Sequence, residues 1–237
     1  MSVSVVLKER IPRDSIFVTG FQGMGIAGYI AVRHMIRALN AKPLGFIMLK
    51  RMPPYVWMEG NRLATPMQLF GYQNYVFMLV EFMPPMPDLY VFVDKICEWI
   101  SETFIEAFLI GGLDLRVRKE GESERAKFAA TTKAIDKVLR QGYRVLDSGL
   151  YITGPLALML MKFEQLNFPA LAVLAYANAS RPDPMAAAIA IQYFSEMYGV
   201  KVDVDELIRD AQRIEAEIEE SLRRRQEKVT EMSALYI

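Results

Sequence analysis

Gly23, Gly25 and Gly28 stand at the G-x-G-x-x-G spacing, with Gly20 just ahead, in the run Gly20-Phe21-Gln22-Gly23-Met24-Gly25-Ile26-Ala27-Gly28. Between a strand and a helix, such glycines let the backbone approach a pyrophosphate held at the helix N-terminus. A dinucleotide site also needs an Asp or Glu closing the second strand, to hold the ribose. Here that strand, Leu44 to Leu49, runs into Lys50 and Arg51. No acid is present, although the two cations could face a 2′-phosphate. The structural alternative is that the glycines allow a tight strand-to-helix turn and close packing. Lacking the ribose acid, the turn is read as structural and no cofactor is expected.

Other catalytic sets are missing. The chain has one histidine, His34, in the middle of the first helix, so a His-rich metal site is excluded and no metal is expected. Cys97 lies on a helix beside Ile96 and Trp99, as a packing residue would, with His34 remote in sequence. Neither a Gly-x-Ser-x-Gly elbow nor a Gly-Lys-Ser/Thr phosphate loop occurs. Asp114, Asp147 and Asp183 follow strands or turns and could serve as acids, but Asp183 before Pro184 is more simply a helix N-cap. The chain is expected not to be an enzyme. The competing reading is a nucleotide- or nucleoside-binding enzyme built on the Gly20 to Gly28 turn.

A different chemistry sits at Leu235, Tyr236 and Ile237, the last residues of the sequence. They follow a long charged helix and no core-forming pattern. An apolar-aromatic tip is costly to leave in water and reads as a plug that docks elsewhere. A terminal carboxylate could pair with a lysine in a pocket, the Tyr236 ring buries area while keeping a hydroxyl, and Leu235 adds apolar contact.

The elements that position these groups alternate. Strand Ser15 to Thr19 leads through the glycine turn into a helix from about Met24 to Leu39. Strand Leu44 to Leu49, a strand pair Tyr55 to Met58 with Ala64 to Phe70, and strand Tyr75 to Glu81 follow. Helix Asp88 to Thr103, N-capped by Asp88, precedes strand Ala107 to Ile110, which ends in Gly111-Gly112. Helix Lys133 to Gln141, strand Leu150 to Thr153, helix Leu156 to Leu166, strand Ala170 to Tyr176 and a helix from Asp183-Pro184 to Tyr198 complete the order. Glu120 to Lys127 reads as an exposed polar loop, and Lys127 to Thr131 as either helix or strand. Apolar strands separated by helices predict an α/β fold, with a mainly parallel sheet covered on both faces.

Beyond Val204, Leu207, Ala211, Ile214 and Ile218 make a narrow heptad-like stripe on a helix reaching about Val229. It would pack on the body of its own subunit or on a neighbouring chain. With the apolar loop Phe82 to Pro87, it suggests a homo-oligomer. The expected organisation is a core over residues 1–200, a helix over 201–230 and a tail over 231–237.

Composition narrows the partners. The 237 residues carry 28 basic and 28 acidic side chains, so no global field attracts nucleic acid or an anionic membrane. A single cysteine excludes an internal disulfide and fits a reducing cytosol. Met1 to Arg10 reads as a short strand with no secretory signal, and no apolar run is long enough to span a bilayer. A soluble cytoplasmic protein is expected.

Gly20-Phe21-Gln22-Gly23-Met24-Gly25 after the first core strand resembles the opening signature of the archaeal proteasome-assembly-chaperone family. The later pieces match in order: Pro53-Pro54 with Gly60, Gly111-Gly112, Gly149-Leu150-Tyr151-Ile152-Thr153-Gly154, and Asp183-Pro184-Met185-Ala186-Ala187. Gln22 stands where proline is more usual, a departure that leaves the turn in place. The resemblance covers roughly Ile16 to Ala211. It implies a three-layer, nucleoside-phosphorylase-like α/β fold used as a protein-binding scaffold without catalysis, and a strand at Lys127 to Thr131. Some members end in a hydrophobic-tyrosine-any tail that inserts between α-subunits of the 20S proteasome. Leu235, Tyr236 and Ile237 match that pattern position by position.

Overall fold

Ile16–Gly20, Tyr75–Val80 and Ala170–Ala177 are buried at every residue, which a strand can be only with covered faces and paired edges. The computed structural model describes residues 3–216. Its strands are β1 (Val3–Leu7), β2 (Ile16–Gly20), β3 (Lys42–Leu49), β4 (Trp57–Glu59), β5 (Arg62–Ala64), β6 (Met67–Tyr72), β7 (Tyr75–Val80), β8 (Glu106–Asp114), β9 (Ala126–Ala130) and β10 (Ala170–Ala177). The helices are α1 (Ala27–Ala38), α2 (Met86–Thr103), α3 (Ile135–Arg140), α4 (Gly154–Gln165) and α5 (Pro184–Tyr198), with residues 205–216 also helical.

Eight strands form one sheet in the order β1-β3-β6-β7-β2-β8-β10-β9. The central four, β7-β2-β8-β10, are mutually parallel; β3 shares their direction, while β1, β6 and β9 run against it. Alternation of side chains divides the core. Ile16, Val18, Phe108 and Ile110 face α1 and α5, whereas Phe17, Ala107 and Leu109 face α2 and α4. This is the α/β three-layer sandwich expected. The chain turns left in the sheet after β2 and right after β8, so the C-terminal ends of these neighbours frame a topological switch point.

Four local expectations change. Leu150 to Thr153 is not a strand, because β8 and β9 already occupy both edges of β10 and residues 144–146 line the far side of β9. β8 does not stop at Gly111-Gly112 but continues to Asp114, held by pairing of those glycines with Leu174 and Ala175. Tyr55 to Met58 meets Ala64 to Phe70 only at the Trp57–Ala64 pair. Instead β4 and β5 make a small hairpin, and β6 folds onto β7 through Gln73-Asn74. Asp88 lies inside the first turn of α2, with Pro85 at the N-cap, and its buried carboxylate pairs with Arg51. Ala126–Ala130 is the strand that the resemblance implied.

The start of the last helix packs on its own subunit: Leu207 and Ala211 are buried, and the exposed side chain of Arg37 on α1 pairs with Glu206. In the Phe82 to Pro87 loop, Phe82 and Met83 are half-buried against the α2 side of the core.

Candidate functional site

The glycine turn leaves β2 and enters α1 through a single short 3-10 turn, Met24–Ile26. Gly20 and Gly28 are there for close approach. A Cβ on Gly20 would lie 2.4 Å from the Gly28 carbonyl oxygen, and one on Gly28 would lie 2.3 Å from the Ile110 carbonyl oxygen. Both obstacles are backbone, so β2, α1 and β8 can touch only where side chains are missing. Gly25 adopts φ +60°, and a Cβ there would also meet the Ala177 Cβ at 2.8 Å. Gly23 alone faces open space.

That geometry opposes a dinucleotide. In a Rossmann unit the ribose-binding strand lies next to the first. Here β6 and β7 separate β3 from β2, about 14 Å at the usual strand spacing. Lys50 and Arg51 are carried away with β3, and Arg51 pairs with Asp88. Against the turn stands an acid. The Asp183 N–H donates to the Gly25 carbonyl at 2.8 Å, and its carboxylate accepts from the N–H groups of Asn178 (2.9 Å) and Ala186 (3.0 Å). Asp183 is thus the N-cap of α5, as its place before Pro184 indicated, and its charge would repel a phosphate.

The remaining candidate groups have structural partners. His34 is buried, and its Nε2–H donates to the Asp203 carbonyl at 2.6 Å, tying the segment that leads into the last helix to α1. Cys97 is fully buried, and burial pushes its thiol far above the ordinary range, so no thiolate is available. Asp114 is bonded by the Arg116 side chain and backbone N–H, which hold its carboxyl down to about 2. Asp147 accepts from Lys119 at 3.1 Å and lies 3.7 Å from Lys127. Among the described residues no group of three His, Cys, Asp or Glu side chains is placed to hold a metal ion.

Sequence reasoning missed one buried polar cluster. Lys127, 5% exposed, pairs with Glu122, which also accepts from the Tyr176 hydroxyl at 3.0 Å. The Lys127 bond, then those from the Lys119 N–H and the Tyr176 hydroxyl, hold the Glu122 carboxyl at about 2. Burial and the Glu122 bond push Tyr176 up to about 12. A lysine in the otherwise apolar strand Ala126–Ala130 was the available signal. Its work is to fasten the loop between β8 and β9.

Four of the quoted motif pieces converge at the C-terminal edge of the central strands: the glycine turn, Gly111-Gly112, the 149–154 segment and Asp183. Asp183 is bonded to the turn, and the turn, Gly111-Gly112 and the 149–154 segment border a cavity of about 400 Å³. Phe21, Gly23, Gly111, Asp114, Ile152 and Leu156 are among its walls.

The PAC2 family model matches residues 17–222. The chain belongs to the PAC2 family. The resemblance drawn from the glycine turn and the pieces behind it therefore holds. A relative from Methanocaldococcus jannaschii, an uncharacterized protein, is 24% identical over 226 residues, covering 92% of this chain and 90% of the relative. Two crystal structures from Pyrococcus furiosus share the fold. PbaA, described as an archaeal homolog of proteasome-assembly chaperone, superposes with a TM-score of 0.80 at 20% identity, covering 99% of this chain and 97% of PbaA. PbaB, described as an archaeal proteasome activator, gives 0.75 at 18% identity, covering 92% of this chain and 98% of PbaB. The tail residues Leu235, Tyr236 and Ile237, expected from the sequence to form the binding site of this PAC2 chain, lie outside the described residues, as does the part of the expected heptad-like stripe beyond residue 216.

Proposed function

We propose that this chain is an ATP-independent assembly chaperone or activator of the proteasome, gripping 20S α-subunits through Leu235, Tyr236 and Ile237. The observation that carries the reading is the fold likeness, over nearly the whole chain, to PbaA and PbaB. It is supported by the chemistry of the core. The candidate nucleophile, acids and histidine are each buried or bonded to structural partners, as suits a scaffold. Residues 1–200 serve as that scaffold, 201–230 as a helical arm and 231–237 as the tail, in the cytoplasm. No helix among the described residues is long and apolar enough to cross a membrane.

A single tail pays the entropy of ordering and binds weakly, whereas several on one oligomer gain effective concentration. Self-association therefore belongs to the proposal. The β4–β5 hairpin offers it an apolar surface, since the cross-strand pair Met58 and Leu63 is exposed beside Tyr55 and Val56. Pull-down with 20S particles of the same organism tests the grip. Light scattering tests the oligomer, where a mass of 27.0 kDa would mark a monomer and refute it.

A further inference from the structure

Leu150-Tyr151-Ile152-Thr153 has the composition of a strand and no strand to pair with. Among the described residues, the N–H groups of Tyr151, Ile152 and Thr153 and the carbonyls of Leu150 and Tyr151 have no backbone partner. Thr153 is extended, at φ −125° and ψ 167°. Gly149 and Gly154, at φ +90° and +74°, bound the segment and set it off from the turn before it and from α4 after it. Tyr151 is 81% exposed.

Beside this segment lies the cavity of about 400 Å³, within the size range of ligand pockets and at the switch point between β2 and β8. Its walls are chiefly apolar: Phe21, Met24, Leu113, Val117, Leu156 and Leu174. Gly111 lines the cavity where the Leu174 and Leu156 side chains close in, so a larger residue there must push them into the space. A Cβ there would lie 3.2 Å from the Leu174 Cδ2 and 3.3 Å from the Leu156 Cδ2.

We propose that Leu150–Thr153 and this cavity bind an extended peptide of another protein, which pairs along the segment and inserts an aliphatic or aromatic side chain into the cavity. The two halves of the site ask for different things. The segment asks for donors and acceptors spaced along a backbone, and the cavity asks for an apolar group. An extended peptide supplies both at once, whereas a small apolar molecule would leave the segment's backbone groups to water. The cleft is built from described residues alone, so the inference stands independently of the proteasome tail.

The probe is a library of acetylated, amidated heptapeptides with Lys at both ends, Leu fixed at the centre and the other positions varied. Binding is read by titration, and by amide hydrogen exchange of the intact protein. Peptides that bind should slow exchange at Tyr151, Ile152 and Thr153, and N-methylation of the peptide beside its central residue should abolish this. Changing the central Leu to Ser, or filling the cavity by Gly111→Val, should lower affinity about tenfold to a hundredfold. Should Gly111→Val not fold, Val117→Trp fills the same space from the surface loop. The proposal is overturned if no peptide binds at about 1 mM, or if binding survives both fillings. It is equally overturned if indole competes fully with the peptides and no amide in the segment is protected.

Discussion

Replacing Gly28 with alanine should destabilise the protein by about 2 kcal/mol, although the position is helical. Helix propensity alone favours alanine over glycine there by about 1 kcal/mol. Against this, the new Cβ would lie 2.3 Å from the Ile110 carbonyl oxygen, where ordinary contact begins at 3.4 Å, so α1 and β8 must part by about 1 Å. Overpacking that flexible side chains can absorb costs about 1–3 kcal/mol. Here both parties are backbone in the middle of the sandwich, which puts the cost at about 3 kcal/mol or above. The net loss corresponds to a fall in Tm of about 4–8 °C for a chain of this size. Gly23→Ala is the control: its Cβ would meet nothing within 4 Å, so its effect should stay within about 0.5 kcal/mol. Urea denaturation of both variants, with the m-value unchanged, makes the comparison. A Gly28→Ala protein as stable as the parent would refute the packing account of the turn and reopen the nucleotide reading.

Titration with NAD, NADP and ATP should leave the melting temperature unchanged, since Asp183 stands against the turn and β3 is two strands removed; micromolar stabilisation by any of them contradicts this. Asp183→Ala should cost about 1–2 kcal/mol in a thermal or urea melt, by losing the α5 cap and the bond to Asn178, while an unchanged midpoint would show the cap to be idle. Glu122 has its carboxyl depressed from 4.5 to about 2, chiefly by Lys127, so its stabilisation is complete above 4.5 and is lost as pH falls toward 2. The stability difference between the parent and Glu122→Gln should therefore shrink between about pH 5 and about pH 2, and a constant difference would place the Lys127 network outside the folding equilibrium.

The alternation of apolar strands and amphipathic helices was legible because β2, β7 and β10 are buried on both faces and carry almost no polar residues. The Asp183 cap was legible because proline follows it directly. Leu150 to Thr153 misled for a physical reason: propensity reports what a segment prefers, and whether a sheet edge is free is a property of the whole fold. Gly111-Gly112 looked like a stop, and only pairing with β10 carries β8 through it. The structural character of the turn could be suspected from the missing ribose acid. Its cause, backbone against backbone at Gly20, Gly28 and Ile110, involves residues far apart in sequence that no local pattern joins. The Glu122, Lys127 and Tyr176 cluster was hidden likewise, apart from one lysine in an apolar strand.

Binding of 20S particles by the full chain, by the chain lacking Leu235, Tyr236 and Ile237, and by Tyr236→Ala tests the central claim most directly. Folding and oligomer size should be the same in all three, which circular dichroism and light scattering would verify. Loss of the ring or of the whole tail should cost about 1–3 kcal/mol per tail, and multivalency would compound this into near loss of capture. If the truncated protein captures 20S particles as well as the full chain does, the tail is not the grip and the proposed mode of action is wrong.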